Sequence, residues 1–422
     1  MFERFNSILK PLDKFIIIAF FCSFVNSFAA TAFCILLLIY IQYGVEGEVK
    51  ILLWITFRGV LSSAVAAGIG SSIIKWGMLI GISLLIVITS NVDEIQSWKV
   101  AKVSKKAILF SVAVGICSAI VSSYPVTACF KLLSFLLPLL AIIKGISMTK
   151  SYCKWVDYLC AIMTLLMLIS FCMIPFGRFR IVNNDLQGIF NHVNTLGVMC
   201  AIYIALLLRT NIFDNKRRYK ISVIIGTLVL AYLSASRTGL LSCILILVLY
   251  YAIYNIKIAL VLIPLLGIYF LGTISSPNIN NDNFFTNSIH EFMWKNSTDS
   301  IFDSRMEIAE ESMQHFEKHR LTGTGFMVPY IEQVKDYSLK YDLVVEPGSL
   351  IYMLLGDTGY IGSILFVLFI ISVFKCGKME RLYMLLGALI TNMGEMAFFS
   401  SNNYSILFYF LIAIYMFDES IN

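Results

Sequence analysis

The chain has 422 residues, a mean hydropathy of +0.82 and a formal net charge of +6; 59% of its residues are hydrophobic and only 14% are charged. This composition excludes an ordinary soluble globular protein. Apolar runs of about 17–22 residues alternate with short charged clusters, which is the pattern of a polytopic α-helical membrane protein. We therefore predict an all-α polytopic membrane protein with about 12–14 transmembrane helices.

The ten cysteines lie in or beside apolar runs, and none falls within residues 275–348. No pair has the CxxC spacing of a metal or redox site. We expect these cysteines to act as small apolar side chains and not as a disulfide framework.

Residues 275–348 form one long polar stretch with six Lys or Arg and twelve Asp or Glu, a net charge of −6, so the rest of the chain carries +12. Basic clusters near residues 4–14, 99–106, 144–154, 209–220, 257 and 375–381 mark the cytoplasmic side of a membrane protein. The excess of basic residues outside this stretch therefore indicates which loops face the cytoplasm. It gives no indication of nucleic-acid binding. The prediction is transmembrane helices at 1–274, a large extracytoplasmic loop at 275–348 and three further transmembrane helices at 349–422.

The chain must cross the membrane an even number of times between two clusters on the cytoplasmic side. Between the clusters near residues 4 and 99, we therefore interpret residues 15–41 as a tight hairpin of two helices. The other predicted helices lie at about 51–69, 73–91, 107–124, 127–146, 156–177, 194–208, 219–235, 238–256, 258–274, 349–374, 382–399 and 406–417.

Within the polar stretch, residues 304–307 read Ser-x-x-Glu, the spacing of a capping box, which predicts a helix to about residue 319. Ser312, Met313 and Phe316 share one face of that helix, whereas Glu310 and Glu317 project elsewhere. We expect an amphipathic surface helix, packed on the membrane domain or lying among lipid headgroups.

Two arginines are candidates for binding an anion. Arg237 follows Ser236 among small residues at the outer end of two predicted helices, where an arginine either clamps a phosphate or reaches toward lipid headgroups. Arg305 lies in the first turn of the predicted loop helix, where a cation opposes the helix dipole unless an anion binds there too. Alternatively, Arg305 binds no ligand and is an exposed arginine whose charge a neighbouring acid neutralises.

His192 precedes a predicted helix, with Arg178 and Arg180 upstream as further candidates for substrate binding. A histidine at this position suits a general base or a phosphate ligand, or simply a helix cap. Glu346 is the last acid before the chain re-enters the membrane, and a partly desolvated carboxylate suits general-base catalysis.

Two other sites carry weaker signals. His315 and His319 are four residues apart, but no HExxH pattern or cysteine accompanies them, so we predict no metal site. Glu395 lies near the outer end of a predicted membrane helix, where it is either functional or paired locally.

Four motifs then follow one another in order: GIFNHVN at 188–194, SRTGL at 236–240, a large loop whose helix carries Arg305 and ends in LTGTGF at 321–326, and EPGSL at 346–350 continuing to GDTGYIG at 356–362. From about residue 175 to 375, this series resembles the O-antigen polymerase and ligase family of bacterial envelope glycosyltransferases.

The resemblance implies a GT-C-like membrane glycosyltransferase that uses undecaprenyl-diphosphate-linked sugars on the outer face of the cytoplasmic membrane, with no metal or other cofactor. Arg237 and Arg305 would match the two functional arginines of the family and would hold the lipid diphosphate. The implied partners are lipid-linked glycans, membrane lipid, a flippase and a chain-length regulator.

The chain departs from the family pattern at one position. Ligases carry a histidine just before the helix that follows the large loop, and here Gly348 occupies that position, with Glu346 the nearest candidate. This favours a polymerase in which Glu346 or His192 activates the acceptor hydroxyl. A ligase that transfers glycan to a lipid core, and a lipid-linked oligosaccharide flippase, are the alternatives.

Overall fold

The computed structural model describes residues 8–70, 72–89, 94–151, 153–176, 185–213, 217–254, 303–328, 348–401 and 404–417, without the side chains of 94–96, 303–309 and 311. These residues form fourteen α-helices, and the only strand-like pairing among them is the isolated bridge between Leu61 and Phe190. The helices are α1 Pro11–Cys22, α2 Ser27–Leu36, α3 Val45–Gly59, α4 Ser72–Thr89, α5 Glu94–Val121, α6 Pro125–Thr149, α7 Trp155–Cys172, α8 Val193–Arg209, α9 Arg217–Leu233, α10 Arg237–Tyr254, α11 Asp303–Lys318, α12 Leu350–Cys376, α13 Leu382–Asn392 and α14 Ser405–Phe417.

Six helices in the described part are long and apolar enough to cross a membrane: α4, α5 from Ser97 to Val121, α6, α7, α10 and α12. Shorter apolar helices accompany them at Ser27–Tyr43, Val193–Arg209 and Ser405–Phe417. Large apolar side chains such as Ile73, Ile120 and Leu168 remain exposed on the bundle, as expected of a surface in contact with lipid. The prediction of an all-α polytopic membrane protein is confirmed. The predicted helix at 258–274 lies outside the described residues.

One end of the bundle contains a buried network of charges, and we call it the basic end. Lys50 of α3 contacts Asp13 of α1 at 3.0 Å and Glu46 at 2.9 Å, and Lys10 contacts Glu46 at 2.7 Å. The hydroxyl of Tyr40 donates to Asp13 at 2.7 Å. Because each buried charge has an oppositely charged partner, this network ties the first helices together without leaving a bare ion in an apolar surrounding.

The opposite end, which we call the site end, is where Gly59, Cys172, Leu233 and Asn392 end their helices and where α8, α10 and α12 begin. Close contacts between these helix ends, described below, bring distant parts of the chain together there. The basic clusters near residues 10, 154 and 381 fall at the basic end, as their predicted common face requires.

Several predicted helix bounds are wrong for a physical reason. The helix predicted at 51–69 runs from Val45 to Gly59, because the charged residues that resemble a loop, Glu46 and Lys50, are buried and paired. The helix predicted at 382–399 ends at Asn392. There the side-chain amide of Asn392 donates to the carbonyl of Ala388 at 2.7 Å and accepts from the N–H of Ala397 at 2.9 Å, which ends the helix.

Candidate functional site

Residues 185–192 form an irregular segment across the site end, and backbone hydrogen bonds hold it in place. The N–H of Leu186 donates to the carbonyl of Leu233 at the end of α9, at 2.8 Å. The N–H of Ser62 donates to Ile189, and that of Asn191 donates to Val60, each at 2.9 Å. The GIFNHVN motif is therefore fixed between the ends of α3 and α9, and α8 begins from it.

His192 is the N-cap of α8, and its exposed side chain has a defined hydrogen-bonding state. Its Nδ1 accepts the backbone N–H of Asn194 at 3.2 Å. This contact confirms the helix-cap role that the sequence pattern allows for His192. Its roles as a phosphate ligand or a general base stay predictions.

Arg237 is the first residue of α10, and α10 packs tightly against α8. A Cβ atom on Gly239 would lie 2.6 Å from the backbone of Gly197, so only glycine allows this approach. Ser236 caps the helix, its hydroxyl accepting the N–H of Gly239 at 3.2 Å. The starts of α8 and α10 are consequently side by side, with His192 at one and Arg237, which is half-buried, at the other.

The loop helix predicted at 304–319 is confirmed as α11, Asp303–Lys318, and Arg305 lies in its first turn. Its apolar face packs against α12: the hydroxyl of Ser312 donates to the carbonyl of Tyr352 at 2.9 Å, and the rings of Phe316 and Tyr360 are 5.0 Å apart. Glu310 and Glu317 are exposed, as the pattern predicts. Of the two predicted placements, packing on the membrane domain is the one observed.

The LTGTGF motif is built into a kink of α12 at Gly359. This glycine has φ 60° and ψ −163°, a backbone conformation that residues with a Cβ atom do not tolerate. The kink frees four backbone groups of α12, and the loop binds all of them. The carbonyls of Gly356 and Asp357 accept from Thr324 and Gly325 at 3.1 Å each, and the N–H groups of Tyr360 and Ile361 donate to Arg320 and Leu321 at 2.8 and 3.1 Å.

Beyond the kink, the loop enters the core. The N–H of Met327 donates to the carboxylate of Asp357 at 2.8 Å, and its carbonyl accepts from Nζ of Lys131 at 2.7 Å. Lys131 and Asp357 are both buried and attract each other electrostatically. The ring of Phe326, fully buried, lies 5.2 Å from that of Phe399. These contacts fix the loop helix to α6, α12 and the chain that follows α13.

Glu395 lies in that chain, in the non-helical link between α13 and α14, and its side chain is 8% exposed. Its Oε1 accepts the side-chain N–H of Asn194 at 2.7 Å, across 201 residues of sequence. Asn194 therefore contacts two candidate site residues: its backbone N–H donates to the ring of His192, and its side-chain amide donates to Glu395. The sequence pattern allows either a functional role or local pairing for Glu395, and the structure shows that its side chain contacts a residue far away in the chain.

The structure brings the start of α8, with His192, beside the start of α10, with Arg237. The loop helix that carries Arg305 packs on α12, and its proximity to these two helix starts stays a prediction. Arg178, Arg180 and Glu346 lie outside the described residues, as does the side chain of Arg305. Their roles stay predictions.

Gly348, the position at which ligases carry histidine, has φ +73°. This is the left-handed region, which favours glycine over a residue with a Cβ atom. The backbone conformation at this position therefore favours the glycine that occupies it.

These features define a polytopic membrane protein with a polar site at one end of its helix bundle. Residues 221–367, roughly a third of the chain, match a protein family model described as O-antigen ligase. The match includes α10 with Arg237, the loop helix and the kinked part of α12. It confirms the resemblance to the O-antigen polymerase and ligase family and does not separate the two activities. No curated protein matches the chain.

Proposed function

We propose that this protein is an integral-membrane glycosyltransferase that polymerises undecaprenyl-diphosphate-linked oligosaccharide repeat units into O-antigen, capsule or exopolysaccharide. The reaction would take place on the outer face of the cytoplasmic membrane. The observation that carries the proposal is the pair of adjacent helix starts: Arg237 begins α10 in close contact with α8, which His192 begins, within and beside the segment matched by the O-antigen ligase family.

This arrangement suits a lipid diphosphate. The positive dipole ends of two helices attract an anion, and one guanidinium can bind two phosphate oxygens at once. His192, at the start of α8, supplies a further side chain that can bind phosphate. We assign Arg237 and His192 to the diphosphate, together with Arg305, Arg178 and Arg180 from the sequence.

In the reaction, a hydroxyl of the acceptor glycan attacks the anomeric carbon of the donor, and the bond from that carbon to the diphosphate oxygen breaks. The diphosphate leaves with the electron pair and gains negative charge as it departs, and Glu346, the general base proposed from the sequence, takes the proton of the attacking hydroxyl. Fixed donors aimed at that developing charge lower the barrier, since they need no rearrangement during the step. The proposed partners are lipid-linked glycans, bilayer lipid, a flippase and a chain-length regulator, with no cofactor.

Gly348 supports a polymerase over a ligase. A ligase that relies on a histidine at this position would need that side chain on a backbone with φ +73°, which glycine adopts far more easily. The ligase reaction, transfer of a finished glycan to a lipid core, remains the second candidate because the matched family is described by that name.

A deletion mutant of the gene separates the two. We expect cells without the protein to accumulate single lipid-linked repeat units, as measured by mass spectrometry of extracted lipids, and the wild-type gene to restore long chains. Accumulation of long lipid-linked chains would identify a ligase instead. An unchanged glycan profile would refute both.

A further inference from the structure

We propose that the lysines at the start of α5 and the end of α12 form a binding site for an anionic phospholipid at the basic end of the bundle. The lysines bind the phosphate of the headgroup, and the acyl chains lie along the exposed faces of the two helices. This site goes beyond the proposed glycosyltransferase reaction and does not depend on it.

The first argument is that the two helix ends lie side by side. The rings of Phe110 in α5 and Phe366 in α12 are 5.7 Å apart. One turn along, a Cβ atom on Gly362 would lie 2.9 Å from the side chain of Val114. Residue numbers therefore rise along α5 where they fall along α12, so the helices pack antiparallel. The start of α5 is consequently beside the end of α12.

The second argument is charge. The charges of Lys102 and Lys99 act on the thiol of Cys376, the last residue of α12. Lysines of both helices therefore gather at one place: Lys99, Lys102, Lys105, Lys375 and Lys378. Within the described part of the chain, no acid forms an ion pair with any of them. The exposed Glu380 offsets only one of these charges, so the net positive charge remains for an anion from outside the protein.

The third argument is the pattern of the exposed faces. Exposed residues recur every three or four positions on both helices, which makes one stripe on each. The stripe on α5 includes Trp98, Lys102, Lys105, Leu109, Val112 and Ile116. The stripe on α12 and the residues just after it includes Ile364, Val367, Ile371, Phe374, Lys375 and Lys378. Each stripe is apolar along the bundle and cationic at the basic end, as the acyl chains and the phosphate of a lipid require.

The fourth argument is depth. From Lys102 to Val121, the last residue of α5, a regular helix rises about 28 Å. The hydrocarbon core of a bilayer is about 30 Å thick, so these lysines lie at the level of the headgroups. The Nζ atoms of Lys99 and Lys102 are 5.9 and 5.8 Å from the ring centroid of Trp98, which is exposed. Tryptophan is enriched at this membrane interface.

Topology alone also predicts lysines at this end, because basic loops remain in the cytoplasm. It does not require that lysines of two helices meet around an exposed tryptophan at the end of two apolar stripes. Basic groups between membrane helices bind anionic headgroups. A bound phosphate would also offset the repulsion between the lysines of α5 and α12 and would thereby hold the two helix ends together.

The test uses the purified full-length protein in phosphatidylcholine vesicles and measures quenching of Trp98 by brominated lipid. Bromine is placed near the carbonyl end of the acyl chains, either of phosphatidylglycerol or of phosphatidylcholine. The chain has five tryptophans, so the signal of Trp98 is the difference between each protein and its Trp98→Phe counterpart. We expect phosphatidylglycerol to reach half-maximal quenching at a mole fraction at least about fivefold lower, the contribution of one lysine near a charged surface.

The double variant Lys102→Gln with Lys375→Gln removes one charge from each helix. We expect it to lower the preference for phosphatidylglycerol at least about fivefold. Arg217→Gln with Arg218→Gln is the matched control, because these exposed arginines begin α9 at the same end of the bundle and lie together on one helix. Its preference should stay within about twofold of the wild type, since it leaves the lysine cluster intact.

Three results would overturn the proposal. They are equal quenching of Trp98 by the two lipids in the wild type, an unchanged preference in the lysine variant, and an equal loss of preference in the arginine control. If the lysine variant does not accumulate, native mass spectrometry of the wild type decides. After delipidation and addition of equal amounts of the two lipids, we expect more bound phosphatidylglycerol than phosphatidylcholine, and equal retention would refute the site.

Discussion

Arg237 places a positive charge on the first residue of a helix, where the helix dipole already points its positive end. Arg237 is half-buried, and the first turn of its helix packs against the first turns of α8, whose start is a second positive end. An anion at this place would be attracted by both helix ends and by the guanidinium, as the proposed diphosphate site requires.

Replacing Arg237 with lysine tests whether the geometry of the guanidinium matters beyond its charge. We expect Arg237→Lys to lower polymer synthesis about tenfold to a hundredfold, because the ammonium loses one of two charge-assisted hydrogen bonds worth about 1.5–3 kcal/mol each. The measurement is polymer yield and length in complemented deletion cells, normalised to protein level.

Arg218→Lys is the control for this exchange, since Arg218 is an exposed arginine near the start of α9, at the basic end. Its polymer yield should match that of the wild type. Equal yields from Arg237→Lys and wild type would show that the diphosphate is not held by this guanidinium.

At the scale of elements, α11, the loop that follows it and α12 form one unit. Four backbone hydrogen bonds join that loop to α12, and the Phe316–Tyr360 contact joins α11 to α12. The loop helix is therefore an anchored part of the site and not a hinged cover. This fixes the backbone of Arg305 relative to α12, and through Phe326 and Phe399 relative to the link that contains Glu395.

Gly359→Ala should break this unit. The alanine Cβ would lie 2.6 Å from the backbone of Leu321 in a conformation that only glycine adopts readily, so we expect a loss of about 3 kcal/mol or more. Thermal unfolding of the purified protein in detergent measures the effect, and limited proteolysis should cut near residues 303–328 faster than in the wild type.

Gly77→Ala is the matched control, because Gly77 in α4 has open space where a Cβ atom would go. Its unfolding temperature should stay within a degree or two of the wild type. If both variants unfold at the wild-type temperature, the kink does not depend on glycine.

Hydropathy predicted the spans well where apolar residues alone decide them: α8 and α10 begin within one residue of the predicted bounds. It was wrong where polar side chains compete for the backbone or pair in the interior. The amide of Asn392 ends α13 early, and the buried pairing of Glu46 with Lys50 lets α3 begin early. Neither effect has a signature in a window of average hydropathy.

The site was predictable in part. Motif order indicated the starts of α8 and α10 and the loop helix, and each is a local feature that a short stretch of sequence encodes. The contact of Asn194 with Glu395 joins residues 201 positions apart and depends on how α13 ends. Such a contact is set by tertiary packing, so the sequence offered only a lone acid near a helix end.

For the whole molecule, the charge distribution predicts which end faces which compartment. Glu317 is exposed on the loop helix at the site end, and Lys378 is exposed near the start of α13 at the basic end. In a variant with the ten native cysteines replaced by alanine, Glu317→Cys should react with a membrane-impermeant maleimide on intact spheroplasts. Lys378→Cys should react only after lysis, because basic loops remain in the cytoplasm.

Full reaction of Glu317→Cys only after lysis would reverse the orientation and would refute a reaction on the outer face. Polymer synthesis by the cysteine-free protein serves as the control for correct folding, since all ten cysteines are predicted to be plain apolar fillers.

The kink of α12 has a consequence for biogenesis. A helix with four backbone groups that lack hydrogen bonds inserts poorly into the bilayer, because each such group costs several kcal/mol of free energy there. The partners of those groups are residues 320–325, which precede α12 in the chain. In the proposed orientation this loop crosses the membrane before α12 is inserted. Insertion of α12 would then be coupled to the folding of a segment that is already on the outer face.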